Sequence, residues 1–480
     1  MQILKHIKQH IGKIAVFLLL ITSNYTLAQE PSETFLKGID IPLIVISTDD
    51  GIDPQGYSVS PPENCIGTAL AGNDYKTGRM IMTHLDSVIY DSGEYAAGAS
   101  GIRIRLRGNT STLWDKKPYK LKLSKKFDLF RRNDKKYRSK DWVLLNCPLL
   151  DLNTFLGFKV NELLGVEWTP KAEFVNIVLN GDYKGLYILC ESIEQGEGRF
   201  NVSTNGFIVE DDAYWWNEDV YFKGNLLPYS MGYTFKYPDT EDISPQYLSR
   251  INDYFLEIER RLKLSEDVSE YIDLKSFASW LLGHDILGTE DASGSNRYIS
   301  KYDFIQDNVT HSKLKMGPLW DFDNIFTRDT LWSQQHGGNY RYYHEYLLDY
   351  PEFMDEFVKV WVSVKEFLYN DIMEYFIELE ESKGEALDLC RELDSQRWKR
   401  HGYNLVADDV RKIDEWMSAR LEWIDEQLRK ETHVEVVEEE YKVPCIYTLD
   451  GRLVSFGTES TPVKLPRGIY IRNGEKITVK

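Results

Sequence analysis

Cysteine is scarce in this 480-residue chain: there are five, at positions 65, 147, 190, 390 and 445, and none sits in a C-x-x-C or Cys/His spacing. An odd, sparse set is not a disulfide framework, so the fold must rest on its core. Several catalytic signatures are also missing. There is no H-E-x-x-H, no G-x-S-x-G and no G-x-x-x-x-G-K-[ST]; Gly72 to Arg79 misses the last by one residue. Positive charge is in deficit, the formal net charge being −19. That balance argues against nucleic-acid binding, which draws its affinity from Lys and Arg on phosphates. It argues equally against docking on an anionic membrane surface. No apolar run beyond residue 21 is long enough to span a bilayer, so no membrane insertion is expected of the mature chain. There is no internal repeat.

What is present begins with a leader. Lys5, Lys8 and Lys13 form a basic region, Ile14 to Ile21 a short apolar core, and Thr26-Leu27-Ala28 a small-x-small cleavage site. Residues 1–28 therefore read as a signal peptide, and the chain as exported. The 42% hydrophobic content allows a large core in two lobes with a small appendage.

Ile41 to Ser47 reads as a buried strand and Met80 to Thr83 as a second, placing a β region over 35–100 against the lobe that follows. From Gly101 the pattern sharpens. Ile102-Arg103-Ile104-Arg105-Leu106-Arg107 alternates strictly, so three arginines share one face. The loop Gly108 to Thr112 follows, then a second alternating strand over Tyr119 to Leu123. Asp151 to Leu164 reads as a helix with Gly165 at its C-cap. Asn180-Gly181 splits two apolar runs, Phe174 to Leu179 and Gly185 to Leu189, as a hairpin turn does. A strand over Gly206 to Val209 ends in Glu210-Asp211-Asp212. Beyond Pro245, helix-spaced apolar residues mark 254–262, 274–287, 352–376, 385–398 and 408–430. A β-rich first part before a helix-rich second part predicts an α+β, two-lobed fold over 101–430. Residues 431–442 read as an acidic linker and 443–480 as a small β module.

The chemistry concentrates between Thr289 and Asn324. Asp291 and Asn296 have the Asp-x-x-x-x-Asn spacing of a kinase catalytic loop, where Asp accepts a hydroxyl proton and Asn holds magnesium. Trp320-Asp321-Phe322-Asp323 places two carboxylates at i and i+2 between aromatics, resembling the metal-binding Asp-Phe-Gly of kinases. Magnesium wants hard oxygen donors and keeps several waters, so Asp321, Asp323 and the Asn296 amide suffice. The bland alternative gives Asp323 to a turn and Asp321 to an arginine. In the first lobe, Gly108 and Asn109 open a loop able to cover phosphates with backbone N–H groups. Lys120 or Lys122 could contact phosphates, with Glu162 on the following helix as an ion-pair partner.

Arg105-Leu106-Arg107-Gly108-Asn109-Thr110-Ser111, followed by Lys116-Lys117-Pro118-Tyr119-Lys120-Leu121-Lys122-Leu123, resembles the opening signature of the CotH family of kinase-like proteins. Leu179 to Tyr187 with Cys190-Glu191, Gly206 to Asp211, Lys236-Tyr237-Pro238 and Leu319 to Asp323 resemble its later blocks, in order. The resemblance covers roughly Ile41 to Lys430. It implies an atypical protein-kinase fold that binds ATP with Mg²⁺ or Mn²⁺ and phosphorylates Ser or Thr on exported proteins. By position it implies Asp291 as catalytic base and Asp321 as metal ligand, with Glu191 and Lys236 among the nucleotide-binding residues. Ile446 to Arg452 with Gly468 to Ile471 resembles C-terminal modules that direct exported bacterial proteins to the surface, which implies secretion machinery as a partner.

Two rival readings come from other classes. A non-catalytic surface module could bind glycans or proteins through Trp215-Trp216 and Tyr340 to Tyr343. Glycoside hydrolysis by Asp321 and Asp323 is weaker, because i, i+2 carboxylates rarely face each other across a sugar. If the leader is cleaved as its pattern indicates, N-terminal sequencing of exported material finds Gln29 first; an intact Met1 would refute the export reading.

Overall fold

The computed structural model describes residues 30–480 except 150, 225, 228–230, 290, 291, 293, 294, 305–311, 328–342, 401, 433–445, 449–452, 456–467, 473, 474 and 480. It separates into two compact units, residues 1–421 and 422–480.

The larger unit opens with a short helix, α1 (Glu33–Lys37), whose first turn is capped by the Ser32 side chain accepting from the Phe35 amide. A ring of strands follows: β1 (Leu43–Thr48), β4 (Lys76–His84), β6 (Ile102–Leu106), β7 (Tyr119–Phe127), β8 (Ser139–Leu145), β9 (Ala172–Leu179) and β10 (Asp182–Glu191). They join in the order β1-β9-β10-β8-β7-β6-β4, and β4 pairs back onto β1. The result is a closed seven-stranded barrel, with β5 (Ser87–Asp91) as an extra strand hydrogen-bonded to β4. β2 (Tyr57–Val59) and β3 (Ala69–Ala71) form a separate ribbon. Only the β1–β9 pairing in the ring is parallel.

Strict alternation dictates what lies inside. Ile102, Ile104 and Leu106 of β6 and Tyr119, Leu121 and Leu123 of β7 are buried in the barrel core with Trp142, Val175 and Leu189. Their neighbours Arg103, Arg105, Lys120 and Lys122 are forced outward. The register Arg103↔Lys122 and Arg105↔Lys120 sets these cations side by side. The stretch expected as a region lying against the first lobe instead supplies two of the barrel's own staves, β1 and β4.

A second sheet, ordered β12-β13-β11-β14-β15, is built from β11 (Phe207–Asp212), β12 (Tyr221–Phe222), β13 (Gly232–Tyr237), β14 (Arg297–Lys301) and β15 (Lys315–Met316). The helices are α2 (Asn153–Leu163), α3 (Pro245–Lys263), α4 (Leu274–Leu287), α5 (Tyr343–Leu347), α6 (Pro351–Arg397) and α7 (Val406–Thr432). The chain is thus mixed α+β, with α2 inserted between β8 and β9 and with β14 and β15 following α4. Where two helices were expected over 352–376 and 385–398, α6 runs unbroken through Gly384 for 47 residues. One interior glycine costs about 1 kcal/mol, which packing against α4 and β10 outweighs. Among the described residues no helix is long and apolar enough to cross a membrane, and Cys65, Cys147, Cys190 and Cys390 are free thiols. In the smaller unit β16 (Ile446–Thr448), β17 (Leu453–Ser455), β18 (Gly468–Arg472) and β19 (Glu475–Val479) form an antiparallel sheet ordered β17-β16-β18-β19.

Beneath the second sheet, Glu259 of α3 is fully buried and accepts from the Leu226 amide at 3.1 Å. Burial pushes its carboxyl up to about 7 despite the backbone donors at Leu226 and Leu227. The folded chain therefore holds a proton that the unfolded chain releases near pH 4.3. Its contribution to stability is full below that value and is lost as pH rises through about 7. Urea unfolding of Glu259→Gln is expected to flatten the pH dependence between about 5 and 7 and to leave the variant the more stable of the two at pH 8.

Candidate active site

One cleft lies between the barrel and the segment that carries Asp321 and Asp323. It is lined by Arg107 and Ser111 after β6, by Asn146 to Leu149 after β8, by Asp151, Thr154 and Phe158 around α2, and by Trp320 to Asp323. Its enclosed part measures about 80 Å³, well below the roughly 300–1,000 Å³ of sites that engulf a small molecule. A larger ligand would lie across its mouth.

The barrel side of this region is cationic. Arg103 and Arg105 stack over the Tyr75 ring at 5.2 and 4.7 Å, and Arg107 stands 5.5 Å from the Trp320 ring centroid. All three are half-buried, and none has an ion pair among the described residues. Lys120 and Lys122 share a single carboxylate, Asp141, at 3.3 and 3.9 Å. Half-buried cations without counter-charge are costly to keep and favour an anionic ligand. Next to them, Gly108 has φ +84°, and a Cβ there would meet the Ser111 hydroxyl at 2.2 Å. The side chain of Asn109 accepts from the Leu70 amide at 3.3 Å, and its carbonyl accepts from the Thr112 amide at 3.1 Å. The loop is thereby held as a compact turn against β3.

Facing residues come from the second sheet. Glu210 stands opposite both Thr234 and Tyr298, so these share one face with Asp212 and Lys236. The Lys236 ammonium lies 2.5 Å from the Glu210 carboxylate. Burial pushes the Glu210 carboxyl up to about 7 against the pull of Lys236. Burial alone would lower Lys236, but Glu210 and Asp212 hold it above its ordinary value. Asp212 accepts from the Ser295 hydroxyl at 2.8 Å, from Thr234 at 3.0 Å and from the Tyr214 amide at 2.8 Å. It grips the strand entry just before Asn296, which is buried.

Asp321 and Asp323 are exposed at the cleft mouth. Asp321 adopts φ +65°, a left-handed conformation that Asp tolerates better than most residues. The Asp323 amide lies 3.5 Å from an Asp321 carboxylate oxygen. Among the described residues no group of three or more His, Cys, Asp or Glu is arranged to hold a metal. Two exposed carboxylates two residues apart nevertheless suit magnesium, which keeps most of its water. Asp151, in the same cleft, has its carboxyl pushed up to about 6 by burial. Burial also pushes the neighbouring Cys147 thiol to about 12, which leaves it inert as a nucleophile.

The cleft therefore brings together Arg107, Ser111, Asp321 and Asp323. The expected pairing of Lys120 or Lys122 with Glu162 does not form. Asp141 on the adjoining strand takes both lysines, while Glu162 points to solvent and meets Lys159 at 3.2 Å. Glu191 is buried at the end of β10, held by Arg132 at 2.6 Å and the Lys171 amide at 2.9 Å, and does not line the cleft. Asp291 lies outside the described residues. Trp215 leans on Gly232 and sits under Lys223, and the Trp216 indole donates to the Ile66 carbonyl at 3.0 Å. Both rings are tied into the fold. Tyr340 to Tyr342 lie outside the described residues, and Tyr343 is buried.

Three features were missed. Arg107 was visible as the last residue of an alternating strand. Glu210 was visible as the first acid of Glu210-Asp211-Asp212, but its pairing with Lys236 carried no sequence signal. The seating of Trp320 to Asp323 on α2 had only a faint signal, the Asn-x-x-x-Gly-x-x-x-Asn stripe of that helix.

If Arg107 serves a ligand, Arg107→Met should leave the unfolding free energy within about 1 kcal/mol of the parent in urea titration. Loss of several kcal/mol would instead mark it as part of the fold.

No curated protein matches the chain. A family model described as CotH kinase protein matches residues 104–424, a span that holds Arg105, Arg107, Lys120, Lys122, Lys236, Asn296 and both exposed carboxylates: the chain belongs to the CotH family.

Proposed function

We propose that this protein is an exported, two-lobed kinase-like enzyme that transfers the γ-phosphate of ATP to Ser or Thr of exported or surface proteins. The observation that carries the reading is the meeting of Arg107 with Trp320 at the mouth of the cleft. It sets a cationic face, suited to phosphates, directly beside two exposed carboxylates suited to a divalent cation. Membership in a family named for kinase proteins supports the same reaction class.

Residue roles follow from chemistry. Asp321 and Asp323, with the Asn296 amide, would hold Mg²⁺ or Mn²⁺, which when bound neutralises phosphate charge. Lys236 takes the place first assigned to Lys120 or Lys122, and Glu210 the place assigned to Glu162, as the lysine–glutamate pair that a kinase aims at phosphates. The loop at Gly108 and Asn109 flanks the same cleft. Asp291 accepts the proton of the incoming hydroxyl. The oxygen so freed bonds to the γ-phosphorus as the bond from that phosphorus to the bridging oxygen breaks, and ADP leaves.

The test is incubation of the mature chain with labelled ATP and Mg²⁺ or Mn²⁺, read by mass spectrometry of the products. Asp321→Ala should abolish divalent-dependent nucleotide binding. Asp291→Asn should cut transfer by about 10²–10⁴-fold while sparing ATP binding. A parent with neither phosphoryl transfer nor an ATP-dependent rise in melting temperature would overturn the reading in favour of a binding module.

A further inference from the structure

Helix α2 carries three weak helix formers on a single stripe: Asn153, Gly157 and Asn161, each four residues from the next. All three are buried, and each meets the segment Leu319 to Asp323. The Asn161 carboxamide oxygen accepts from the Leu319 amide at 2.9 Å. Its NH₂ donates to the Trp168 carbonyl at 3.1 Å and the Thr169 hydroxyl at 2.7 Å, fixing the amide's orientation. Asn153 donates to the Phe322 carbonyl at 3.3 Å. Between them, a Cβ on residue 157 would fall 2.1 Å from the Phe322 ring. Phe158, one step round the helix, touches Trp320 and Phe322 with centroids at 5.9 and 5.4 Å.

Leu319, Trp320 and Phe322 are thus held by one helix through backbone or ring. Asp321 and Asp323 alternate with them and face the cleft mouth. Asp321 takes its left-handed backbone between two neighbours, Trp320 and Phe322, that α2 holds by ring contact. Helical stability is sacrificed on a buried stripe where Ala or Leu would ordinarily stand, a pattern expected where position matters more than stability.

We infer that Asn153, Gly157 and Asn161 are positioning residues: they set where the carboxylates of Asp321 and Asp323 stand without touching what those carboxylates bind. The inference rests on the proposed function only for the identity of that ligand.

The experiment compares the full mature chain with Gly157→Ala, Asn161→Ala, the double variant Gly157→Ala/Phe322→Ala and the control Lys159→Ala, on the face of α2 turned away from the stripe. Two quantities are read: amide hydrogen exchange across 319–323, and binding of Mn²⁺ alone by electron paramagnetic resonance. Gly157→Ala and Asn161→Ala are expected to speed exchange at 319–323 by roughly tenfold with the barrel strands still protected. Mn²⁺ affinity falls in parallel. Removing the ring in the double variant slows exchange again, and Lys159→Ala changes neither quantity. Unchanged exchange at 319–323, or acceleration spread evenly over the barrel, overturns the inference. A parent that binds no Mn²⁺ counts against the metal-dependent reading, and the exchange pattern alone then decides the positioning role.

Discussion

The structure depends on one strand closing a ring. β1 pairs antiparallel with β4 and parallel with β9, with Leu43 level with Thr83 on one side and Asn176 on the other. Without it the seven-stranded ring would be an open sheet with two raw edges, each a template for wrong pairing. The turn residue Asn180 secures the closure: its amide donates to the Ile46 carbonyl and its side chain accepts from the Thr48 amide, both at 2.8 Å. Closure also gives the strands an inside and an outside. With the interior filled by Ile102, Ile104 and Leu121, the arginines of β6 have only the outer face available, and that face borders the cleft.

A second tie joins barrel to helices. Lys116 and Asp394 are both buried and bond to each other, and Lys116 also donates to the Leu186 carbonyl. Asp394 accepts from the Leu186 amide at 2.9 Å. Such a pair is poor evidence of net stabilisation, but loss of one partner strands a buried charge. It also fixes the cleft wall, since the Asn146 side chain donates to the Lys116 carbonyl at 2.8 Å.

Alternation and turn chemistry made the strands legible. The β6–β7 pair, the Asn180-Gly181 hairpin and α4 follow directly from period and punctuation. Ring closure was hidden because the β1–β4 and β1–β9 contacts join segments far apart in sequence, and pattern carries no record of partners. The break expected near Gly384 failed because a local propensity yielded to tertiary contact. At the site, residue types were readable and pairings were not. Lys120 and Lys236 look alike as lysines on strands, and only the folded arrangement brings one to Asp141 and the other to Glu210. Gly157 reads as a weak point in a helix until Phe322 is seen to occupy its space.

Helix α6 reaches further than any single contact suggests. At 1.5 Å per residue its 47 residues extend about 70 Å. Along that length Tyr375 meets Lys159 of α2, Lys383 meets Asp40 ahead of β1, Cys390 meets Asn176 of β9, and Asp394 meets the strand beside it. One rigid rod is thus stitched to the entrance of the barrel, to its wall and to the helix beneath the carboxylates. The strands and helices of the larger unit consequently share a single source of cooperativity. Although the unit exceeds the size at which chains usually divide into independently melting domains, its calorimetric unfolding should be one transition, with barrel and helices lost together.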